Sequence, residues 1–215
     1  MFDSETCRNP YLDFKDYLQK FSKKKLLQLQ DSADKAQMSM GMTFNVYHDN
    51  QGIEKILHLD LIPRIISGQE WEIIEKGLIQ RITALNMFIG DLYHEKRILK
   101  EGIIPEDLIL TSKDYLEPCI GLNPPKGIWC HITGSDIVRD KSGKFYVLED
   151  NLRCPSGVSY LLENREIIKQ AFPQLFSNIG VRPVSDYSNM LLAMLQNLSD
   201  KPNPTVVVLT PGIYN

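Results

Sequence analysis

The stretch Phe145-Tyr146-Val147-Leu148-Glu149-Asp150-Asn151 decides the fold of this chain, because it is an apolar run that ends in three oxygen-bearing side chains. A second apolar run ends at Asp136, and the turn-forming segment 141–144, Lys-Ser-Gly-Lys, separates the two. An apolar run, a short polar turn and a second apolar run are typical of a hairpin. The pattern therefore predicts two neighbouring antiparallel strands joined by a tight turn.

Alternation along the second strand pairs two of its oxygen-bearing side chains. Residues i and i+2 project to the same face, so Glu149 and Asn151 share a face and Asp150 takes the other. If the strands are neighbours, Asp136 can converge on that pair. Two carboxylates and an amide carbonyl are hard oxygen ligands, which Mg²⁺ accepts together with water and substrate phosphates. The residues point toward phosphate chemistry, although Asp, Asn and Gly are also what a solvated hairpin end prefers.

Length, composition and charge exclude several classes of function. With 215 residues, 43% of them hydrophobic, the chain can form one large domain or two small ones around a sizeable core. A net charge of −3 does not indicate the basic surface that nucleic-acid-binding proteins usually carry. No segment has the length of a membrane span or the pattern of a signal peptide, so we expect a cytoplasmic protein with neither nucleic-acid nor membrane partners. Four cysteines without CxxC spacing indicate neither a zinc site nor a disulfide framework.

Hydrophobic periodicity predicts the remaining elements. Helices are predicted over 9–39 with a break after Ser22, over 67–99, over a turn at 106–110, and over 160–171 and 186–198. Strands are predicted over 43–47 and 53–56 around a turn at 49–52, and over 128–132, 137–138, 145–148 and 205–209. The last of these is continuously β-branched and apolar, which predicts a buried parallel strand.

Motifs of one protein family run along most of the chain. They are Met42-Thr-Phe-Asn-Val-Tyr47, Gly134-Ser-Asp136, Tyr146-Val-Leu-Glu-Asp-Asn-Leu-Arg153, Pro155-Ser-Gly-Val-Ser-Tyr160, Glu163-Asn-Arg165 and the segment 205–215. In these motifs the sequence resembles the circularly permuted ATP-grasp proteins of type 2, which are related to the synthetase domain of glutathionylspermidine synthase. The resemblance implies that the magnesium ligands are Asp136, Glu149 and Asn151.

The resemblance also implies a fold of the α+β or α/β class. We expect an N-terminal helical segment over 1–40 and a partial ATP-grasp domain with the metal-binding antiparallel strands over 41–198. The segment 199–215 is expected to hold the first strand of a Rossmann-like (pre-ATP-grasp) unit. The chain is thus interpreted as the N-terminal part of a longer protein, with the nucleotide-binding lysines expected beyond Asn215.

The function implied by the resemblance is ATP- and Mg²⁺-dependent ligation of a carboxylate to an amine through an acyl phosphate. The partners would be a small-molecule or peptide substrate that carries the carboxylate and an amine co-substrate, and the 215 residues alone are expected to be inactive. Arg153 and Ser156 are candidates to contact the substrate carboxylate or the γ-phosphate, since one offers a bidentate fork and the other a hydroxyl. Two alternatives stay open: a non-catalytic ATP-grasp-like scaffold, and a kinase that acts on a small molecule.

Overall fold

A computed structural model of the chain describes residues 2–3, 6–48 and 51–209. It divides into two compact units. The first unit comprises Met1–Ile73, Arg139–Lys144 and Ser156–Ser185, and the second comprises Ile74–Val138, Phe145–Pro155 and Asp186–Asn215. The domain boundaries after residues 40 and 198 stay a prediction.

The described residues form a mixture of helices and two-stranded sheets. The helices are α1 Leu12–Leu18, α2 Lys23–Ser39, α3 Gly68–Tyr93, α4 Arg97–Lys100, α5 Glu106–Leu110, α6 Val158–Ala171, α7 Pro173–Asn178 and α8 Tyr187–Asn197, with single 3₁₀ turns at Asn9–Tyr11, Glu117–Cys119 and Pro125–Gly127. The strands are β1 Phe2–Asp3, β2 Thr6–Cys7, β3 Thr43–His48, β4 Gln51–Ile56, β5 Gly134–Arg139 and β6 Phe145–Asn151, paired β1 with β2, β3 with β4 and β5 with β6. This content confirms the α+β class.

An aromatic cluster centred on Phe172 forms the core of the first unit. Phe172 is fully buried, and its ring meets those of Phe14, Tyr17 and Phe21 edge to face, with centroids 5.6, 6.2 and 6.1 Å away. Such contacts add to the free energy gained from burying the rings. The predicted break before the second helix is confirmed, since Ser22 Oγ accepts the Lys25 backbone N–H at 3.2 Å and caps α2.

The predicted hairpin after α2 is also confirmed. Strand β3 pairs antiparallel with β4 in a register that runs from Thr43 opposite Ile56 to His48 opposite Gln51. Of the predicted turn at 49–52, residues 49 and 50 lie outside the described part of the chain. Gln51 and Gly52 belong to β4.

Helix α3 ends earlier than its periodicity predicts. The expected helix over 67–99 is wrong beyond Tyr93, because the Asp91 carboxylate accepts the backbone N–H groups of Arg97 and Ile98, each at 3.0 Å. These bonds cap the separate short helix α4. Between the two helices Lys96 takes a left-handed conformation with φ of 53°.

The strand predicted over 128–132 is wrong. The backbone N–H groups of Trp129 and Cys130 both donate to Asn86 Oδ1 of α3, at 2.9 Å each, so a side chain takes the place of a partner strand. The Trp129 ring fits closely against α3 at Gly90, where an added Cβ would lie 3.3 Å from the indole Nε1. The segment is therefore a loop held against α3.

The β5–β6 hairpin confirms the predicted turn at 141–144. The short strand predicted at 137–138 extends over Gly134–Arg139, which places Asp136 within β5. At the turn, Asp140 N–H donates to Lys144 O at 2.9 Å, and Asp140 Oδ1 accepts Ser142 Oγ and Lys144 N–H at 2.7 and 2.9 Å. Gly143 supplies the positive φ, 87°, that closes the turn.

Residues 205–209 do not form the predicted strand, and the Rossmann-like unit stays a prediction. Their side chains are exposed, with Val207 at 76% and Leu209 at 94%. A strand needs a hydrogen-bonded neighbour, and the residues described up to 209 pair only as three separate hairpins.

Helix α6 ends ahead of Pro173 as predicted, but Pro173 itself begins the unpredicted α7. Within the described part of the chain, none of the helices combines the length and the apolar character needed to cross a membrane.

Candidate metal centre

One face of the β5–β6 hairpin is fixed by a buried carboxylate. Asp150 Oδ1 accepts the Ser135 hydroxyl at 2.7 Å across the two strands, and Asp150 Oδ2 accepts Arg81 Nε of α3 at 2.5 Å. The Asp150 side chain is only 6% exposed. Ser135 and Asp150 therefore lie on the same face of the hairpin, and that face is directed toward α3.

Alternation then assigns the predicted metal ligands to the opposite face. Asp136 follows Ser135, while Glu149 and Asn151 flank Asp150, so strand geometry groups these three residues on one side. All three are exposed. Asn151 Nδ2 donates to Glu149 Oε1 at 3.2 Å, which brings the amide and the carboxylate together.

Gly134 borders this ligand face. A Cβ at position 134 would lie 3.1 Å from Pro155 Cβ and 3.8 Å from Asn151 Cβ. The first distance is tighter than ordinary carbon contacts, so a side chain here would press on the segment that carries Asn151. Glycine therefore lets Pro155, in the loop after β6, approach β5 beside the ligand face.

The charge of Asp150 is balanced on the other face. Burial raises the pKa of Asp150, but the hydrogen bonds from Ser135 and Arg81 and the positive charge of Arg81 outweigh it, so the pKa lies below its ordinary value. At neutral pH this carboxylate is ionised and paired with Arg81. Asp150 thus lies on the face opposite to the proposed ligands, and this is the face on which strand alternation places it.

The chemistry of the donor set suits a hard divalent cation. Two carboxylates and an amide carbonyl are oxygen donors of the type that Mg²⁺ selects, with positions left for water and phosphate. Among the described residues, no three His, Cys, Asp or Glu side chains group as a metal site, and the predicted set holds only two carboxylates. Asn151 would therefore be an essential third donor.

Comparison with known proteins decides the family. The family model described as circularly permuted ATP-grasp type 2 matches residues 63–215, which is more than half of the chain and includes the whole β5–β6 hairpin. The chain belongs to the circularly permuted ATP-grasp type 2 family.

Relatives in this family are much longer than this chain. It is 50% identical over 202 residues to the uncharacterized protein sll0335 of Synechocystis sp., a match covering 93% of this chain and 42% of that protein. It is 42% identical over 218 residues to the uncharacterized protein ML0605 of Mycobacterium leprae, covering 100% of this chain and 38% of that protein. The uncharacterized protein Rv2411c of Mycobacterium tuberculosis is 41% identical over 218 residues, covering 100% of this chain and 39% of that protein. The chain thus spans about two fifths of the length of these curated relatives.

The two predicted substrate-contacting residues of this ATP-grasp chain lie in the loop after β6. Arg153 is 84% exposed and pairs with the equally exposed Asp114, Nη1 to Oδ1, at 3.4 Å. Ser156 is exposed, and it directly precedes Gly157, the residue before α6. Arg153 belongs to the second unit and Ser156 to the first. Their contact with substrate stays a prediction.

Two residues that support the ATP-grasp hairpin escaped sequence reasoning. Ser135 is recognisable in retrospect. Strand alternation places it on the same face as Ile137 and on the face opposite to Asp136, which is the face that Asp150 also takes. Arg81 gives no sequence signal, since it lies 69 residues before Asp150 on a helix with many charged residues.

Proposed function

We propose that this chain carries the magnesium-binding hairpin of an ATP-dependent carboxylate–amine ligase. The single observation that carries the proposal is the hydrogen bond from Ser135 to Asp150. Because these two residues share one face of the hairpin, strand alternation places Asp136, Glu149 and Asn151 together on the other face, where all three are exposed. Membership of the ATP-grasp family supports ligase-type chemistry on small molecules. ATP-grasp enzymes generally use ATP and Mg²⁺, which is the ion that this donor set suits.

The chemistry of ligation explains why such a hairpin is needed. A carboxylate oxygen is a poor leaving group, and transfer of the γ-phosphoryl group to form an acyl phosphate makes it a good one. Bound Mg²⁺ would offset the negative charge that develops on the phosphates. Asp136 and Glu149 would supply two negative charges, which balance the charge of Mg²⁺, and Asn151 would add a neutral donor, so the protein ligands would leave the ion free of excess negative charge when it meets phosphate.

Arg153 is proposed to meet the substrate carboxylate or the γ-phosphate. Its pairing with Asp114 is fully exposed, and exposed ion pairs contribute about 0–1 kcal/mol. The guanidinium can therefore exchange Asp114 for a substrate anion at little cost and bind it through two parallel N–H groups. Ser156 is proposed, as a separate candidate, to donate its hydroxyl to the substrate carboxylate or the γ-phosphate.

The proposal also extends to the segment 205–209. Its apolar β-branched residues are exposed here, and we propose that they form the first strand of a Rossmann-like unit once neighbouring strands are available. The carboxylate and amine substrates would be small molecules or peptides.

The test incubates the complete protein with ATP, Mg²⁺ and pooled amino acids and short peptides. We expect ADP together with a condensation product, detected by mass. The double variant Glu149→Gln, Asn151→Ala should abolish ADP formation and leave the circular dichroism spectrum unchanged. Turnover that survives the double variant would remove the hairpin from the mechanism. ADP without condensation would indicate a kinase, and nucleotide binding without turnover would indicate a scaffold.

A further inference from the structure

The Asp150 carboxylate lies on the face of the β5–β6 hairpin opposite to the proposed ligands. Each of its oxygens has a defined partner, Ser135 Oγ at 2.7 Å and Arg81 Nε at 2.5 Å. Ser135 is the chain neighbour of Asp136, and Asp150 is the chain neighbour of both Glu149 and Asn151. Asp150 is thus the direct chain neighbour of two proposed ligands, Glu149 and Asn151, and is hydrogen-bonded to the chain neighbour of the third, Asp136.

We infer that Ser135, Asp150 and Arg81 are positioning residues that set the affinity of the hairpin for a divalent cation. This inference rests on the proposed function of Asp136, Glu149 and Asn151. The three positioning residues do not bind the ion. They fix the relative displacement of β5 and β6 and hold β6 against α3.

The physical reason is that a metal site loses affinity when its ligands must be ordered at the moment of binding. The proposed ligands are exposed, so packing on their own face does little to fix them. The order comes from the opposite face, where the Asp150 side chain is 6% exposed and bonded to two elements. Groups that hydrogen-bond directly to metal ligands typically change metal affinity by about 10- to 100-fold when they are removed, and here the effect would reach the ligands through the backbone of β5 and β6.

A positioning role and a simple charge effect predict opposite results for Arg81. Replacing Arg81 by Gln removes a positive charge from the second unit, so a charge effect alone would tighten binding of a cation. Positioning predicts weaker binding, because Asp150 loses its link to α3. The sign of the change therefore separates the two explanations.

A neutral pair of substitutions at Ser135 tests the cross-strand bond without altering charge. Ser135→Ala removes the hydroxyl that bonds Asp150. Ser135→Thr retains a hydroxyl, and a β-branched side chain suits a strand. Asn86→Ala serves as the control for general loosening of the second unit, because Asn86 supports the 129–130 loop and none of its hydrogen-bond partners lies in β5 or β6.

The experiment titrates the ¹⁵N-labelled 215-residue chain with Mn²⁺ alone and follows paramagnetic broadening of the amide signals of β5 and β6. We expect Ser135→Ala and Arg81→Gln to raise the dissociation constant by about 10-fold or more, while Ser135→Thr and Asn86→Ala bind like the wild type. Equal affinity in wild type and Ser135→Ala, tighter binding by Arg81→Gln, or equal weakening by Asn86→Ala would each overturn the positioning role and leave the proposed function standing. Absence of broadening in the wild-type hairpin would overturn both.

Discussion

Asp91 shows how one side chain can divide a helix. Its two oxygens accept the N–H groups of Arg97 and Ile98, which would otherwise be free at the start of α4. The Ile98 N–H is the main cause that holds the pKa of Asp91 below its ordinary value, against a partial burial that raises the pKa, with Arg97 adding to the lowering. The ionised carboxylate is therefore the form that stabilises the α3–α4 junction.

We predict that Asp91→Ala lowers the free energy of unfolding by about 1 kcal/mol at pH 7, the usual loss for a helix cap. Because the folded pKa is lowered, the stabilisation is fully present above the unfolded pKa of about 3.9 and is lost as pH falls through the folded value. The difference between variant and wild type should thus shrink near pH 3. Urea unfolding at the two pH values measures it.

Glu95→Ala is the matched control for Asp91. Glu95 pairs with Arg97 in the same turn, but the side chains are 62% and 68% exposed, so the pair should contribute little. A loss in Glu95→Ala as large as that in Asp91→Ala would show that general charge in this turn, and not the cap, stabilises the junction.

At the scale of elements, a single amide replaces a missing strand. Asn86 Oδ1 accepts two consecutive backbone N–H groups, from Trp129 and Cys130, and Asn86 Nδ2 donates to Ile82 O at 3.1 Å. The two accepted bonds keep the 129–130 loop on α3, and the donated bond orients the Asn86 amide along its own helix. Removing the acceptor leaves two part-buried donors without a partner, at a cost of about 1–3 kcal/mol for each that stays buried.

We predict that Asn86→Ala destabilises the chain by about 2 kcal/mol and accelerates amide hydrogen exchange at Trp129 and Cys130. Asn86→Asp retains the acceptor oxygen and should keep both amides protected. Thermal unfolding and exchange measured by NMR report the two effects. Unchanged exchange at both amides in Asn86→Ala would show that the loop is held by the packing of Trp129 instead.

Sequence reasoning succeeded where the determinant is local. The helices α2, α6 and α8 follow from the spacing of apolar residues, and the 141–144 turn follows from its own residues. Sequence reasoning failed where a distant or competing group determines the conformation of a segment. The 128–132 segment has strand-forming residues, but Asn86, 43 positions earlier, satisfies its backbone.

Helix α7 was missed for a different reason. Pro173 ends α6, but proline is also well suited to the first turn of a helix, where no N–H is required.

In the candidate site, too, the features set by neighbouring residues were predictable and those set by distant residues were not. Strand alternation was enough to group Glu149 with Asn151 and to separate Asp150 from them. The Arg81 partner of Asp150 was not predictable, because it approaches from a helix 69 residues away. The role of Arg153 depends on which anion it meets, and the sequence carries no information on that.

Several apolar side chains of the second unit are exposed among the residues that the structure describes. Leu148 on β6 is 67% exposed, Met87 on α3 is 71% exposed, and Val207 and Val208 are 76% and 78% exposed. Exposed apolar residues scattered singly are normal on a protein surface, so only a continuous run of them along one segment calls for an explanation.

The segment 205–209 is the most exposed of these apolar regions. Thr-Val-Val-Val-Leu combines strong β propensity with no charge, the signature of strand-to-strand association between chains. We predict that the 215-residue chain associates with itself as concentration rises, and that Val207→Lys reduces the association, because a charge in the middle of the segment opposes edge pairing. Light scattering after size-exclusion chromatography measures the effect.

Val207→Ile and Leu148→Lys are the controls for this last prediction. Val207→Ile keeps β propensity and adds no charge, so its association should match the wild type. Leu148→Lys places the same charge on another exposed apolar position, on β6. If Leu148→Lys suppresses association and Val207→Lys does not, the hairpin surface and not the 205–209 segment carries the contact between chains. The segment would then lack the tendency to pair that its proposed place in a sheet requires.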